Sequence, residues 1–227
     1  DDQAEAVLSW LDGGGWVDAT FEYTFGGGSC RSGMTLLMVA MADGREGLAE
    51  ALLQRGADVS LQNIKGATAL NLAAVNGFEK LVELALRHGA EINHQTALGN
   101  TALMQAAGAG HEKVVDSLTR HGAAIDQQTI AGDIALMIAA FQDHPAALRC
   151  LLRAGADATL RAHGNTALQW AKEKGHAECV RALEEHSSTA AEAEGETAVA
   201  ESAEQAAAGA REVAAEAAEA RDAAEAA

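Results

Sequence analysis

The sequence has few of the residues that usually stabilise small secreted proteins. It contains three cysteines, Cys30, Cys150 and Cys179, and a single proline, Pro145. An odd number of cysteines without paired spacing is not typical of a disulfide framework, and free thiols persist in reducing compartments. We therefore expect an intracellular, reducing location, either cytoplasmic or organellar after removal of a leader.

Basic residues and long apolar runs are also scarce. The 16 Lys and Arg residues stand against 33 Asp and Glu, which gives a formal net charge of −17. Because phosphate contacts require an excess of positive charge, this balance argues against nucleic acid as a partner and against binding to an anionic membrane face. The longest apolar stretch, 134–141, is much shorter than the roughly 18 residues of a membrane-spanning helix, so we expect no direct membrane insertion.

Glycine, by contrast, recurs at regular intervals. Three series keep a spacing of 33 residues, shortened once to 32, and hold a fixed phase to one another. They are Gly33, Gly66, Gly99, Gly132 and Gly164; Gly44, Gly77, Gly110 and Gly175, with Asp143 in the one gap; and Gly56, Gly89, Gly122 and Gly155. Such a period indicates a solenoid of stacked supersecondary units.

Each copy predicts two helices. A threonine two residues after the first glycine is placed to cap a short first helix, and the second glycine suits a turn with positive φ. A second helix follows, with apolar residues at helical spacing such as Leu81, Val82 and Leu84. It ends at a Gly-Ala pair, and about ten residues then lead to the next copy as an extended turn. The capping threonines are Thr35, Thr68, Thr101 and Thr166.

The 33-residue period and the TALxxA and GAD patterns resemble the ankyrin-repeat family over residues 33 to about 186. The resemblance implies an all-α solenoid of helix–turn–helix units joined by β-hairpin turns. Its repeats would be 33–65, 66–98, 99–131, 132–163 and 164–186.

One family residue is missing throughout. At the histidine of the family pattern T-P-L-H-x-A the five copies have Met38, Asn71, Met104, Met137 and Gln169. In the family this histidine ties the hairpins together by hydrogen bonds. Its absence predicts more mobile hairpins, unless other contacts compensate.

The N-terminal segment, 1–32, is interpreted as a half-repeat with a glycine-rich and aromatic insertion. Residues 4–11 predict an outer helix. Phe21, Tyr23 and Phe25 alternate with polar residues, which is the period of a strand and predicts a long hairpin finger. Together with Trp10 and Trp16 these rings could either seal the open end of the solenoid or contact a partner.

The C-terminal segment, 187–227, is mostly Ala and Glu, with ten acidic residues against Arg211 and Arg221. Alanine favours helix, yet the segment has almost nothing apolar to bury. It is therefore either a solvated or disordered acidic tail or a helix that docks on a partner.

No pattern in the sequence indicates catalysis, a metal site or a cofactor. There is no glycine-rich phosphate loop, nucleophile elbow or paired-carboxylate motif. One repeat position carries a histidine in three copies, His111, His144 and His176. Neighbouring copies are on the order of 10 Å apart, which is too far for these side chains to bind the same zinc ion. We expect a protein that is not an enzyme, with Cys150 and Cys179 buried as small apolar residues.

The resemblance also implies a partner-binding groove, formed by the hairpin tips and the ends of the first helices. Tips normally carry polar residues, but Ile64, Leu98 and Ile130 lie near successive tips, with Val75 and Phe141 beside them. A row of exposed apolar side chains implies a partner that covers it, unless the side chains fold back or are scattered exposed residues. The candidate contacts are Ile64, Lys65, Val75, Asn76, Leu98, Asn100, Ile130, Asp133, Phe141, Gln142 and His163 in the groove, and Trp16, Phe21, Tyr23 and Phe25 in the finger.

The leading hypothesis is a non-catalytic interaction module or scaffold that binds a partly apolar protein through this groove. A structural subunit built permanently into a larger complex is one alternative, because the finger and the tail would serve as clamps. A chaperone or targeting factor for apolar client segments is another.

Overall fold

The fold is known from a computed structural model, which describes residues 2–24 and 30–189, with side chains described for 5–22 and 32–189. Phe25, the Tyr23 side chain and the tail beyond residue 189 lie outside the described residues. The chain divides into two units, 1–183 and 184–227. In the second unit, residues 184–189 are helical, and the Ser187 and Ser188 hydroxyls donate to the Glu184 carbonyl at 2.8 and 3.0 Å.

The first unit is a row of helix pairs preceded by a helix and a hairpin, which confirms the helical solenoid. The N-terminal elements are α1 (Asp2–Asp12), β1 (Thr20–Thr24) and β2 (Cys30–Thr35). The inner helices are α2 (Leu36–Ala42), α4 (Ala69–Val75), α6 (Ala102–Gly108), α8 (Ala135–Phe141) and α10 (Ala167–Lys174). The outer helices are α3 (Glu46–Gln54), α5 (Glu79–Arg87), α7 (Glu112–Arg120), α9 (Pro145–Arg153) and α11, which begins at residue 177.

The predicted threonine caps are confirmed. The Oγ1 atoms of these threonines accept the backbone N–H three residues later, at 3.2 to 3.5 Å, and so satisfy a donor that the helix itself leaves free. In the fourth repeat Ile134 takes this place; it forms no side-chain cap and is fully buried instead.

Other residues replace some of the hydrogen bonds that the missing family histidine would form. The side-chain oxygen of Asn71 accepts the N–H of Thr68 at 3.0 Å, and that of Gln169 accepts the N–H of Thr166 at 2.8 Å. Each pair forms a reciprocal capping box. Compensating contacts of this kind stabilise the entry to the inner helix.

The turns after α4, α6 and α8 are each tied to the following repeat by a histidine. A ring N–H donates to one of the last carbonyls of the preceding inner helix, since a carbonyl oxygen can only accept. The three bonds are His111 to Val75 O (3.1 Å), His144 to Gly108 O (3.0 Å) and His176 to Ala140 O (2.9 Å). The shared repeat position of these histidines is therefore explained by stacking.

The glycine of the same turn is required for two reasons. Gly110 has φ of 75°, and a Cβ placed on it would lie 2.5 Å from Nδ1 of His144. Asp143, which replaces glycine in the fourth repeat, also has a positive φ of 60°. The sequence-based prediction of a positive φ at this turn is thus confirmed even at the non-glycine position.

Small residues let the inner helices pack closely. Ala40, Ala73, Ala106 and Ala139 are fully buried on successive inner helices. Successive inner helices contact each other more extensively than successive outer helices do. The inner helices therefore form the more closely packed row of the array.

The predicted strand at the N-terminus is present, and its partner strand belongs to the start of the first repeat. β1 and β2 are antiparallel, with Phe21 opposite Met34 and an irregularity between Phe21 and Tyr23. Phe21 is half-buried against the core. The N-terminal half-repeat is fastened by Asp12, which pairs with Arg55 at 3.1 Å, and by Asp18, which accepts the N–H of Asp58 at 3.0 Å.

Cys150 and Cys179 are buried on outer helices, as predicted. Burial raises the pKa of the Cys150 thiol, although Arg153 at 3.0 Å partly opposes the shift. Burial, reinforced by the Asp143 carboxylate, raises the pKa of Cys179 to about 11. Both thiols are therefore held in the unreactive protonated form.

We predict that Gly110→Ala destabilises the array more than Gly122→Ala. Both glycines have positive φ, 75° and 85°, but nothing lies within 4 Å of a Cβ at Gly122. Left-handed backbone costs each variant about 1–2 kcal/mol. The free energy of unfolding should fall by about 1 kcal/mol more in Gly110→Ala, because the hydrogen bond of His144 must break. Urea unfolding followed by circular dichroism measures both, and equal losses would contradict the steric role of His144.

The cysteines provide a second prediction. In a Cys30→Ser background, Cys179 should react with a chromogenic disulfide reagent at pH 8 at least about a hundredfold more slowly in the folded protein than in denaturant, and Cys150 should also react more slowly when folded. A group with a pKa of about 11 is only sparsely ionised at pH 8, and the thiolate is the reactive form. Reaction of either thiol at the rate of the unfolded chain would contradict its burial.

Candidate partner-binding groove

The hairpins between repeats are stacked by backbone hydrogen bonds. The three links are Ile64 N to Ser32 O (3.4 Å), Ala97 N to Lys65 O (3.0 Å) and Ile130 N to Leu98 O (3.3 Å). The side-chain amide of Gln95 adds a further link, since its nitrogen donates to the carbonyls of Gly99 and Gln128, both at 2.8 Å. Each tip is therefore held by its neighbour as well as by its own turn.

Glycine at the tips permits this close stacking. A Cβ at Gly66 would lie 2.8 Å from the backbone nitrogen of Ala97, and one at Gly99 would lie 2.7 Å from that of Ile130. Any larger residue would separate the hairpins and break the link. The repeating glycine thus positions the residue beside it.

Three apolar side chains project from this stack into solvent. Ile64 is 70% exposed, Leu98 71% and Ile130 78%. They do not fold back onto the array, which was one of the two alternatives left open by the sequence. Ile130 follows Leu98 directly in the stack, because its N–H is bonded to the Leu98 carbonyl.

The remaining candidates of the first three repeats differ in exposure: Lys65 and Asn76 are exposed, and Val75 and Asn100 are half-buried. The Asn76 side chain donates to the Leu72 carbonyl at 2.8 Å and so caps α4. Asn100 is half-buried, with its N–H bonded to Thr96 Oγ1 at 3.2 Å.

The candidates in the fourth repeat converge on one cleft between α8 and α10. Four of them, Asp133, Phe141, Gln142 and His163, line a cleft of about 290 Å³. The other walls are Met137, Ile138 and Trp170. We call this space the α8–α10 cleft.

An aromatic pair forms the apolar wall of the α8–α10 cleft. The rings of Phe141 and Trp170 meet edge to face, with centroids 5.5 Å apart and an interplanar angle of 81°. The Lys174 ammonium lies 4.2 Å from the centroid of the Phe141 ring. Phe141 remains 38% exposed, so its ring packs against Trp170 and also presents an apolar surface to solvent.

Sequence reasoning missed Ile138 and Trp170. Each lies six residues after the first glycine of its repeat, Ile138 after Gly132 and Trp170 after Gly164. Ile138 precedes Phe141 by three residues on α8, so the two share one helix face. That spacing was the available signal, but the family positions used were those beside the glycine and those nine and ten residues beyond it, which leave out the sixth position.

A second apolar surface lies at the N-terminal end. Trp16 is 70% exposed and Trp10 49% exposed. A cavity of about 460 Å³ lies between α1, β1 and the start of α2, lined by Val7, Trp10, Phe21 and Leu36 with smaller residues. Phe21 therefore contributes to the seal at this end, while Trp16 faces solvent.

No described helix is long and apolar enough to cross a membrane. No group of three or more His, Cys, Asp or Glu side chains among the described residues could hold a metal ion. The described histidines of the stack instead use a ring nitrogen on backbone carbonyls.

Comparison with known proteins identifies the repeat. The family model described as "Ankyrin repeats (3 copies)" matches residues 36–129, 74–162 and 136–219. No curated protein matches the chain. The overlapping matches span most of the sequence, and up to residue 189 they cover the helix pairs and hairpin stack described above, so the chain belongs to the ankyrin-repeat family.

Proposed function

We propose that this chain is a non-catalytic module that binds a partly apolar segment of another protein along its hairpin tips and inner helices. Ankyrin repeats are in general protein–protein interaction modules, and proteins built from them are typically non-catalytic. The observation that carries the proposal is the exposed row of Ile64, Leu98 and Ile130.

The energy available from this row is large enough to matter. Full burial of one Leu or Ile side chain contributes about 1.5–3 kcal/mol. Hot-spot residues typically cluster in this way and are surrounded by contacts that only exclude water. Covering Leu98 and Ile130 together would therefore supply a substantial part of the binding free energy of a moderate complex.

The stacked hairpins favour binding for a second reason. Because the backbones of Ile64, Ala97 and Ile130 are bonded to the preceding hairpin, the tips are held in place before a partner arrives. Pre-organisation lowers the conformational entropy that is lost on association. Most of the conformational entropy lost on association then comes from the partner.

A permanent structural subunit is the second candidate, supported by the separate apolar surface at Trp10 and Trp16. A partner engaged at both the tips and this end would be hard to dissociate. The candidate predicts co-elution with its complex from a sizing column in high salt, which screens surface charge but not apolar contact. Elution of the native protein alone would exclude it.

The groove proposal is tested by Leu98→Ala with Ile130→Ala. We expect affinity for the partner to fall at least about tenfold, roughly 1.4 kcal/mol, while the melting temperature stays unchanged, because both side chains are exposed. Quantitative affinity purification identifies the partner, and calorimetry on the purified pair measures the change. Phe141 is left intact because it packs on Trp170.

The matched control is Glu50→Ala with Lys113→Ala. These side chains are exposed on the outer helices α3 and α7, and the pair leaves the net charge unchanged. This variant should bind like the parent protein. Unchanged affinity of the tip variant, or an equal loss in the control, would refute binding at the tips.

A further inference from the structure

We propose that the α8–α10 cleft receives one basic side chain of the partner segment, arginine in preference to lysine. The inference rests on the proposed function, since the cleft lies on the same side as the exposed tips. It adds the chemistry of the partner at one defined position.

The size of the cleft limits its occupant. Its volume of about 290 Å³ lies at the lower edge of the range of roughly 300–1,000 Å³ for sites that hold drug-sized molecules. A single long side chain is the natural occupant of such a space. The half-buried walls, Ile138 and Trp170, would contact its aliphatic stem.

The aromatic wall suits a cation. Phe141 and Trp170 meet edge to face, and Phe141 remains exposed while Trp170 is half-buried. The chain itself already places the Lys174 ammonium 4.2 Å from the Phe141 centroid. A guanidinium binds aromatic faces by the same attraction and also stacks on them, which favours arginine.

The lining of the cleft also includes an acidic residue, Asp133. Asp133 is half-buried, and its backbone is fixed by two bonds to Thr129, at 2.9 and 3.1 Å. Within 2–24 and 30–189, no side chain or backbone group bonds to the Asp133 carboxylate. A guanidinium can satisfy both carboxylate oxygens at once, which an ammonium cannot do with the same geometry.

The charge of the whole chain acts in the same direction. A formal net charge of −17 creates a negative potential that attracts basic segments and raises their association rate. Lys174 is the local exception. Its side chain is exposed. In the free protein its ammonium occupies the face of the Phe141 ring, and an incoming cation would displace it.

An acidic side chain held by Lys174 and His163 is the competing occupant. The two occupants predict opposite responses to the same substitutions. Removal of the Asp133 charge weakens a basic ligand and strengthens an acidic one, and removal of the Lys174 charge does the reverse.

The test is a nuclear magnetic resonance titration of the full chain with three probes: Nα-acetyl-arginine amide, the neutral isostere Nα-acetyl-citrulline amide, and Nα-acetyl-glutamate amide. The indole N–H of Trp170, assigned with Trp170→Phe, reports on the cleft. The variants are Asp133→Asn and Lys174→Gln, with Glu50→Gln on α3 as a control that removes an acidic charge elsewhere.

We expect the arginine probe to shift the Trp170 signal in a saturable way and to bind at least about fivefold more tightly than the citrulline probe. Asp133→Asn should weaken it by about fivefold or more, Lys174→Gln should strengthen it by about twofold or more, and Glu50→Gln should leave it within about twofold. Preference for the glutamate probe, equal binding of citrulline, or no shift with any probe would overturn the proposal.

The result is separable from the proposed function. If the arginine probe fails while Leu98→Ala with Ile130→Ala still weakens the partner, the apolar tips stand and the cation site falls. If the arginine probe binds as expected while that variant keeps full affinity, the cation site stands and binding at the tips falls.

Discussion

The structure depends on the contact that each repeat makes with the turn of the repeat before it. A histidine ring such as that of His144 lies against Gly110 and donates to a carbonyl at the end of the preceding inner helix. No repeat can bury its apolar faces alone, so the array is stabilised by these contacts between neighbours and by the close alanine packing of the inner helices.

This regularity also determines where specificity can reside. Positions used for stacking are fixed by sterics, and a side chain at Gly66 or Gly99 would collide with the next hairpin. The residues next to those glycines are free to vary, and the stack holds them in place. Ile130 and Leu98 are apolar at sites where water would favour polar groups, which is why we assign them to a partner rather than to the fold.

Local chemistry could be predicted from the sequence, and contacts between repeats could not. Threonine caps and the positive φ at Asp143 follow from residue type and position. The bond from His144 to Gly108 joins residues 36 apart, and the repeat position alone showed only that the residue recurs. Trp170 was missed for a related reason, since its role arises from Phe141 in the neighbouring repeat. The mobility of the hairpins stays a prediction, because capping boxes at Asn71 and Gln169 replace only part of the missing histidine.

The central claim is that another protein lies over the hairpin tips. Site-specific photo-cross-linking tests it most directly, with a benzophenone amino acid placed at Leu98 in one sample and at Lys113 on α7 in the other. Both positions are exposed, so both tolerate the probe. The account predicts one dominant cross-linked protein from position 98 and none above background from position 113. The same adducts from both positions, or none from position 98 in cells that contain the bound partner, would contradict it.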